Sequence, residues 1–379
     1  MTTPITPMAL YVHWPFCKAK CPYCDFNSHV REGVNDAQWK EALLAEMRHV
    51  AALTGPRLIT SVFFGGGTPS LMAADTVGAV LNEAERQWGL DERCEITLEA
   101  NPTSVEAGKF RDFRAAGINR VSIGVQSLRG TDLKALGRMH SVGEAKEAVK
   151  LAERIFDRYS FDLIYARSGQ TSEAWAEELA EAILMAGDHM SVYQLTIEPG
   201  TQFHTLYHSK RLQIPDEDTS TSLYEITQSM LNDAGMPAYE VSNHARPGQE
   251  SRHNLTYWRY GEYAGIGPGA HGRLVLNGQV QATRTHRAPE EWLARVERDG
   301  HGYHSFEAID VRAQFDERLM MGLRLREGVA MEGLNPDWLN LDKIAMLKAE
   351  GLLEKSDSRL TPTHAGRMVL TSLNGAILI

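Results

Sequence analysis

Three of the chain's four cysteines, Cys17, Cys21 and Cys24, fall within eight residues in the spacing C-x3-C-x2-C. Thiolates held that close can ligate three irons of a [4Fe–4S] cube, and because such cubes usually take four cysteines, one iron stays open to a small molecule. A zinc site is the first alternative, but His29, five residues after Cys24, does not stand at the usual ligand spacing. Unrelated buried thiols are the second, and chance seldom bunches three cysteines out of four. Cys94 lies in an alternating, strand-like stretch and reads as a small buried hydrophobe.

Other residues with chemical capacity recur along the chain. The run Gly65-Gly66-Gly67-Thr68-Pro69 removes side chains so that backbone groups can meet a ligand. Glu99, Gln126 and Asp162 suit ribose hydroxyls and an amino group, and Arg138 suits a carboxylate. Thr196 and Glu198 close the series. Taken singly, each reads equally well as a solvated loop residue; as a ring around an open cluster they are better explained together.

The elements that must position these residues follow from hydrophobic period. Short β-branched or aromatic runs occur at 9–13, 61–64, 95–99, 120–125, 160–165 and 191–197. Helical patterns at 36–53, 73–88, 104–116, 142–156, 172–186 and 218–234 follow them in turn. In the first, Trp39, Leu43, Met47 and Val50 share one face. Gly117, Gly187 and Gly235 stand where helix C-termini want glycine. Strand–helix alternation predicts an α/β fold with a parallel sheet covered by helices. The chemistry-bearing residues fall at the ends of all six strands, which fits a partial (β/α)6 barrel better than a crevice at one switch point.

This organisation predicts three parts: a barrel over 1–235, an irregular segment over 236–304 rich in glycine, histidine and aromatics, and a mostly helical accessory domain over 305–379. In the last part a helix at 341–350, a hairpin of 352–355 with 359–361, and a helix at 362–376 suggest a winged-helix-like module. Lysine and arginine total 39 against 49 aspartates and glutamates, a net charge of −10, which disfavours nucleic-acid binding. No apolar run approaches the roughly 18–20 residues of a membrane span. A cytoplasmic protein with reduced thiols is the expectation, with peripheral membrane association left open.

The cysteine motif preceded by Tyr11-Val12-His13-Trp14-Pro15-Phe16, with Gly65-Gly66-Gly67-Thr68-Pro69-Ser70 downstream, resembles the radical S-adenosylmethionine (SAM) superfamily. The runs Val121–Ser127, Asp162–Tyr165 and Tyr193–Pro199 narrow the resemblance to the branch containing oxygen-independent coproporphyrinogen III dehydrogenase and the heme chaperones, the latter being more similar. The resemblance implies that SAM chelates the open iron and that one electron from the cluster splits its sulfonium. It implies SAM contacts from Tyr11, Tyr23, Gly66, Gly67, Thr68, Glu99, Gln126, Arg138, Asp162 and Thr196. It also implies an electron donor such as a flavodoxin-type protein, heme as cargo, and heme-accepting proteins as partners. A homodimer is left open.

Two departures argue against the dehydrogenase. Its further cysteine, two places after the third, is Phe26 here, and the expected first strand begins too near Met1 for its N-terminal extension. Tyr165-Ala166-Arg167 replaces a turn common in relatives, and nothing in the sequence explains it. His253-Asn254-Leu255-Thr256-Tyr257-Trp258 matches the H-N-x-x-Y-W motif of the chaperone family. Chemistry alone favours a structural histidine there; the motif match favours His253 as a heme ligand. His244 and His271 are rivals. A cluster-based redox-sensing regulator is a further reading, opposed by the net charge.

Overall fold

Six strands pair in chain order, each parallel to the next: β1 Pro7–Trp14, β2 Leu58–Gly66, β3 Leu90–Ala100, β4 Arg120–Gln126, β5 Arg158–Tyr165 and β6 His189–Gln194. The computed structural model in which they are seen describes residues 5–379. Helices cover the sheet, so inner strand residues such as Val62, Phe64, Val121, Ile123, Phe161 and Leu163 are fully buried. Helix α1, Asp36–Thr54, starts where Asn35 accepts the Gln38 amide, and its predicted face of Trp39, Leu43, Met47 and Val50 is buried. The helix Val142–Ile155 opens on a Ser141/Glu144 capping box.

Boundaries depart from expectation in three places. The helix expected over 104–116 is two short ones, Ser104–Ala107 and Phe110–Ala115, interrupted at Gly108, a poor helix residue. The helix expected to reach 186 ends at Ile183, so Gly187 does not cap it. Strand β6 stops at Gln194, leaving Thr196 and Glu198 in the following turn.

Residues 236–304 are more regular than the sequence suggests. Strand β7, Asn243–Ala245, pairs antiparallel with β6. Strand β8, Tyr263–Ile266, joins the other side of β1 in parallel, and β9 His271–Leu276, β10 Gln279–Thr285 and β11 Tyr303–Ala308 continue as an antiparallel meander. The result is one eleven-stranded sheet, ordered β11-β10-β9-β8-β1-β2-β3-β4-β5-β6-β7, whose two edges do not pair. The barrel is therefore partial.

The C-terminal part has a core of its own, built on Phe315, Leu319, Leu323, Ile344, Leu347 and Leu373. The expected hairpin is reduced to a bridge between Leu353 and Pro362; Arg359–Leu360 pairs instead with Val329–Ala330. The expected last helix divides into His364–Met368 and Leu370–Ile377. Among the described residues no helix is long and apolar enough to cross a membrane.

Candidate cofactor site

Strand β1 runs straight into the cysteine loop, which is pinned from several sides. The Gly67 and Thr68 amides donate to Trp14 O and Phe16 O at 2.7 and 2.9 Å. The Asn27 side-chain amide donates to Pro268 O and Arg287 O at 2.9 and 3.0 Å. The Phe203 amide donates to Pro22 O at 2.8 Å, and Tyr23 packs on a small apolar cluster of Leu136, Ile164, Leu195 and Phe203. Loop position is thus set by three distant parts of the chain.

The sulfurs have donors of their own. Thr68 Oγ1 donates to Cys17 Sγ and Arg138 Nη1 to Cys21 Sγ, each at 3.3 Å. Cys24 Sγ lies 3.9 Å from Ser28 Oγ. Burial pushes the Cys17 and Cys24 thiols up, and the Thr68 hydroxyl pulls Cys17 back down. Among the described residues no three His, Cys, Asp or Glu side chains converge on a single-ion position. A cube instead takes one thiolate per iron, and hydrogen bonds to its sulfurs tune its potential.

Beside the sulfurs, Gly66 has φ +111°, and a Cβ there would fall 2.6 Å from the His13 ring. A Cβ on Gly67 would fall 2.8 Å from Phe16 O. Only glycine fits this turn, and the Gly66 amide donates to Glu99 Oε2 at 3.2 Å. Burial, then the nearby Asp162 carboxylate, push the Glu99 carboxyl up to about 8. Burial likewise pushes Asp162 up to about 6, against donation from Ser191 and Ser122 and the charge of Arg120. Gln126 sits at φ +70°, a left-handed conformation costly for a residue with a Cβ.

Every residue expected to contact SAM except Tyr11 lines one cavity of about 690 Å³, together with all three cysteines. Arg138 is less free than its charge suggested: beyond Cys21 it donates to Tyr23 Oη at 3.5 Å, Asn101 Oδ1 at 2.6 Å and Gly124 O at 2.8 Å. These bonds tie it to the cysteine loop and to the end of β4, while it still lines the cavity. Asn101, the residue just after β3, also donates to Thr68 Oγ1 at 3.2 Å. Arg324 lines the cavity from the C-terminal part, with no sequence signal to announce it.

Tyr11 and His253 lie deeper, on a second cavity of about 210 Å³ that shares Glu99, Ser122, Asp162 and Tyr193 with the first. Tyr11, expected to contact SAM, bonds His13 Nδ1 through its Oη at 3.0 Å and lines the second cavity, not the first. His253 is 1% exposed, its Nδ1 is 3.0 Å from Ser61 Oγ, and its Nε2 is 2.6 Å from Tyr257 Oη. Burial pushes its imidazole down to about 3. An axial heme ligand needs a free ring nitrogen, and both of those on His253 are hydrogen-bonded here, to Ser61 and Tyr257. Of its rivals, His244 is buried in β7 and lines neither cavity, and His271 is exposed at the start of β9.

Thiol donors on one rim, hydroxyl and guanidinium donors aimed at two sulfurs, and a glycine turn facing buried carboxylates fit a cluster with SAM beside it.

The radical SAM superfamily model matches residues 11–182, and the HemN C-terminal domain model matches 309–369. The Escherichia coli protein "Heme chaperone HemW" is 37% identical, over 97% of both chains. The chain belongs to the HemW family of radical SAM proteins. The mouse "Radical S-adenosyl methionine domain-containing protein 1, mitochondrial" is 40% identical, covering 97% of this chain and 86% of that one. Among solved structures, Escherichia coli coproporphyrinogen III oxidase (HemN) superposes with a TM-score of 0.83 at 21% identity, covering 99% of this chain and 90% of that one. The HemW relatives thus match over nearly their whole length, and the HemN likeness gives the partial barrel and accessory domain a solved counterpart in fold.

Proposed function

We propose that this chain holds a [4Fe–4S] cluster on Cys17, Cys21 and Cys24, binds SAM in the 690 Å³ cavity, and binds heme for delivery to acceptor proteins. The gathering of cysteines, glycine turn and carboxylates on that one cavity carries the cofactor half of the reading. Kinship with HemW proteins along the whole chain supports the heme half.

When bound, cluster and SAM together supply one-electron reductive chemistry. The chain's own residues bind and orient. Backbone groups of Gly66 to Thr68 and the Glu99 carboxylate receive an ammonium; Gln126 and Asp162 receive hydroxyls; Arg138 locks Cys21 in place. Tyr23 is packed so that its ring shields the loop. Phe26, 58% exposed and lining the cavity, offers an apolar face to a porphyrin where the dehydrogenase pattern has a cysteine. A flavodoxin-type donor fits the electron requirement.

Heme titration of anaerobically reconstituted protein, with and without SAM and with 5′-deoxyadenosine tracked, tests this. Stoichiometric heme binding, with no protoporphyrinogen formed from coproporphyrinogen III, is expected. Turnover to protoporphyrinogen would make tetrapyrrole a substrate and the chain a dehydrogenase.

A further inference from the structure

The donors to the Cys17 and Cys21 sulfurs meet on one side chain. Asn101 Oδ1 accepts from Arg138 Nη2 at 2.6 Å, and Asn101 Nδ2 donates to Thr68 Oγ1 at 3.2 Å. Thr68 Oγ1 in turn donates to Cys17 Sγ, and Arg138 Nη1 to Cys21 Sγ, each at 3.3 Å. A single run of hydrogen bonds thus leads from Cys17 through Thr68, Asn101 and Arg138 to Cys21. Asn101 touches neither sulfur and links both.

The direction of each bond in that run is forced. A guanidinium only donates, so the amide oxygen must face Arg138. The amide nitrogen, a donor, then faces Thr68, whose oxygen must accept. The one hydroxyl hydrogen of Thr68 is left to point at sulfur. Asn101 is itself set from behind. Its backbone amide donates to Glu106 Oε2 at 3.0 Å, and Glu106 is 1% exposed. The same oxygen accepts from Ser70 Oγ, just past the glycine turn. Arg138 Nη2 is fixed on its far side by Gly124 O at 2.8 Å.

We propose that Asn101 is the positioning residue that sets the cluster's reduction potential, by orienting the donors to Cys17 and Cys21. The inference rests on the cluster reading above. Hydrogen bonds to ligand sulfur help set a cluster's potential. They raise it, because they offset the charge that the added electron brings. Bonds joined in a run also strengthen one another, so an amide one step from the sulfur still acts on it. Arg138 keeps its place on the cavity wall, since it is Nη2 that Asn101 holds.

The test is a redox titration of anaerobically reconstituted full-length protein, followed by the electron paramagnetic resonance of the reduced cluster. It compares wild type, Asn101→Asp, Asn101→Leu, Thr68→Val, Thr68→Ser and the Asn101→Leu/Thr68→Val double variant, with iron and sulfide measured in each. A carboxylate at this position accepts where the amide donated, so the Thr68 hydroxyl turns to it and away from sulfur. Asn101→Asp therefore shifts the midpoint to more negative potential. Asn101→Leu removes both amide bonds without adding charge and gives a smaller shift of the same sign. Thr68→Val shifts it the same way, and Thr68→Ser, which keeps the hydroxyl, stays near wild type. Added to Thr68→Val, Asn101→Leu shifts the midpoint less than it does alone, because part of its effect runs through the missing hydroxyl. Iron content stays at the wild-type level. Unchanged midpoints in both Asn101 variants at full iron content overturn the proposal, as does a shift fully additive with Thr68→Val. Loss of iron in both Asn101 variants overturns it too, by making the residue a determinant of assembly. A wild type without a cluster defeats the cofactor reading and this inference with it. A wild-type cluster whose midpoint ignores Asn101 defeats this inference alone.

Discussion

Two adjoining cavities share a carboxylate wall, yet their surroundings are built differently. Around the larger, the Cys17 and Cys21 sulfurs receive hydrogen bonds, the glycine turn bares its backbone, and Arg324 Nε is unpartnered among the described residues. Around the smaller, Ser61, His253 and Tyr257 form a closed chain, and the His253 amide donates to Glu95 Oε1 at 3.2 Å. The first arrangement is prepared to receive a ligand. The second already spends its capacity on the protein. A motif shared with a family thus marks a scaffold as readily as a ligand site, and the hydrogen-bond partners tell the two apart.

The largest effects belong to the larger cavity. Serine in place of Cys17, Cys21 or Cys24 is expected to leave only trace iron and sulfide after anaerobic reconstitution, with SAM binding lost. Full cluster content in any one of these variants would remove that cysteine from the ligand set.

Next comes the scaffold. His253→Ala opens a gap between Ser61 and Tyr257 and leaves two buried hydroxyls without their partner, costing about 3 kcal/mol of stability. Denaturant unfolding reads this. A loss under about 0.5 kcal/mol would mean the network is not the scaffold described.

The carboxylate wall gives a pH effect. The Glu99 carboxyl, about 8 when folded against an ordinary 4.5, holds its proton more tightly in the folded state. Its stabilising contribution is therefore complete below pH 4.5 and is lost as the pH rises toward 8. Asp162 acts with the same sign between 3.8 and about 6. His253 acts with the opposite sign: its contribution is present above pH 6.5 and is lost as the pH falls toward about 3. The difference between wild type and Glu99→Gln isolates the first term, and ligand-free Glu99→Gln is expected to gain on wild type steadily from pH 5 to pH 8. An ammonium placed beside Glu99 ionises it, so SAM binding near neutral pH releases a proton in wild type and not in Glu99→Gln. Calorimetry in buffers of different ionisation enthalpy measures that proton.

The smallest expected effect is at Gln126. Gln126→Gly relieves the left-handed backbone and stabilises the free protein by about 1 kcal/mol, while SAM binds more weakly for want of the carboxamide. Thermal unfolding and SAM titration of the same preparation check both halves.

Much of this was legible in the chain. The strand–helix alternation shows all six parallel strands because each short β-branched or aromatic run is followed by an amphipathic helical pattern. The cysteine motif, glycine turn and strand-end polar residues lie close to those strands in sequence, so their convergence followed from the alternation. The strands of 236–304 were hidden, because segments such as Asn243–Ala245 and Tyr263–Ile266 are too short to show a period among glycines and histidines. Arg324 was hidden because its partners, Glu240 and Trp258, are tens of residues away and only the fold brings them together. The hydrogen-bonding of His253 was hidden because sequence shows a residue type and a motif, while its ring nitrogen Nδ1 meets Ser61, nearly two hundred residues upstream.

Parallel heme and SAM titrations of reconstituted wild type and His253→Gln test most directly whether the cysteine-lined cavity is the site and His253 its scaffold. The account predicts a lower unfolding midpoint for the variant, with the Soret band and both affinities unchanged. A variant of unchanged stability that loses the wild-type axial-ligand spectrum would contradict it.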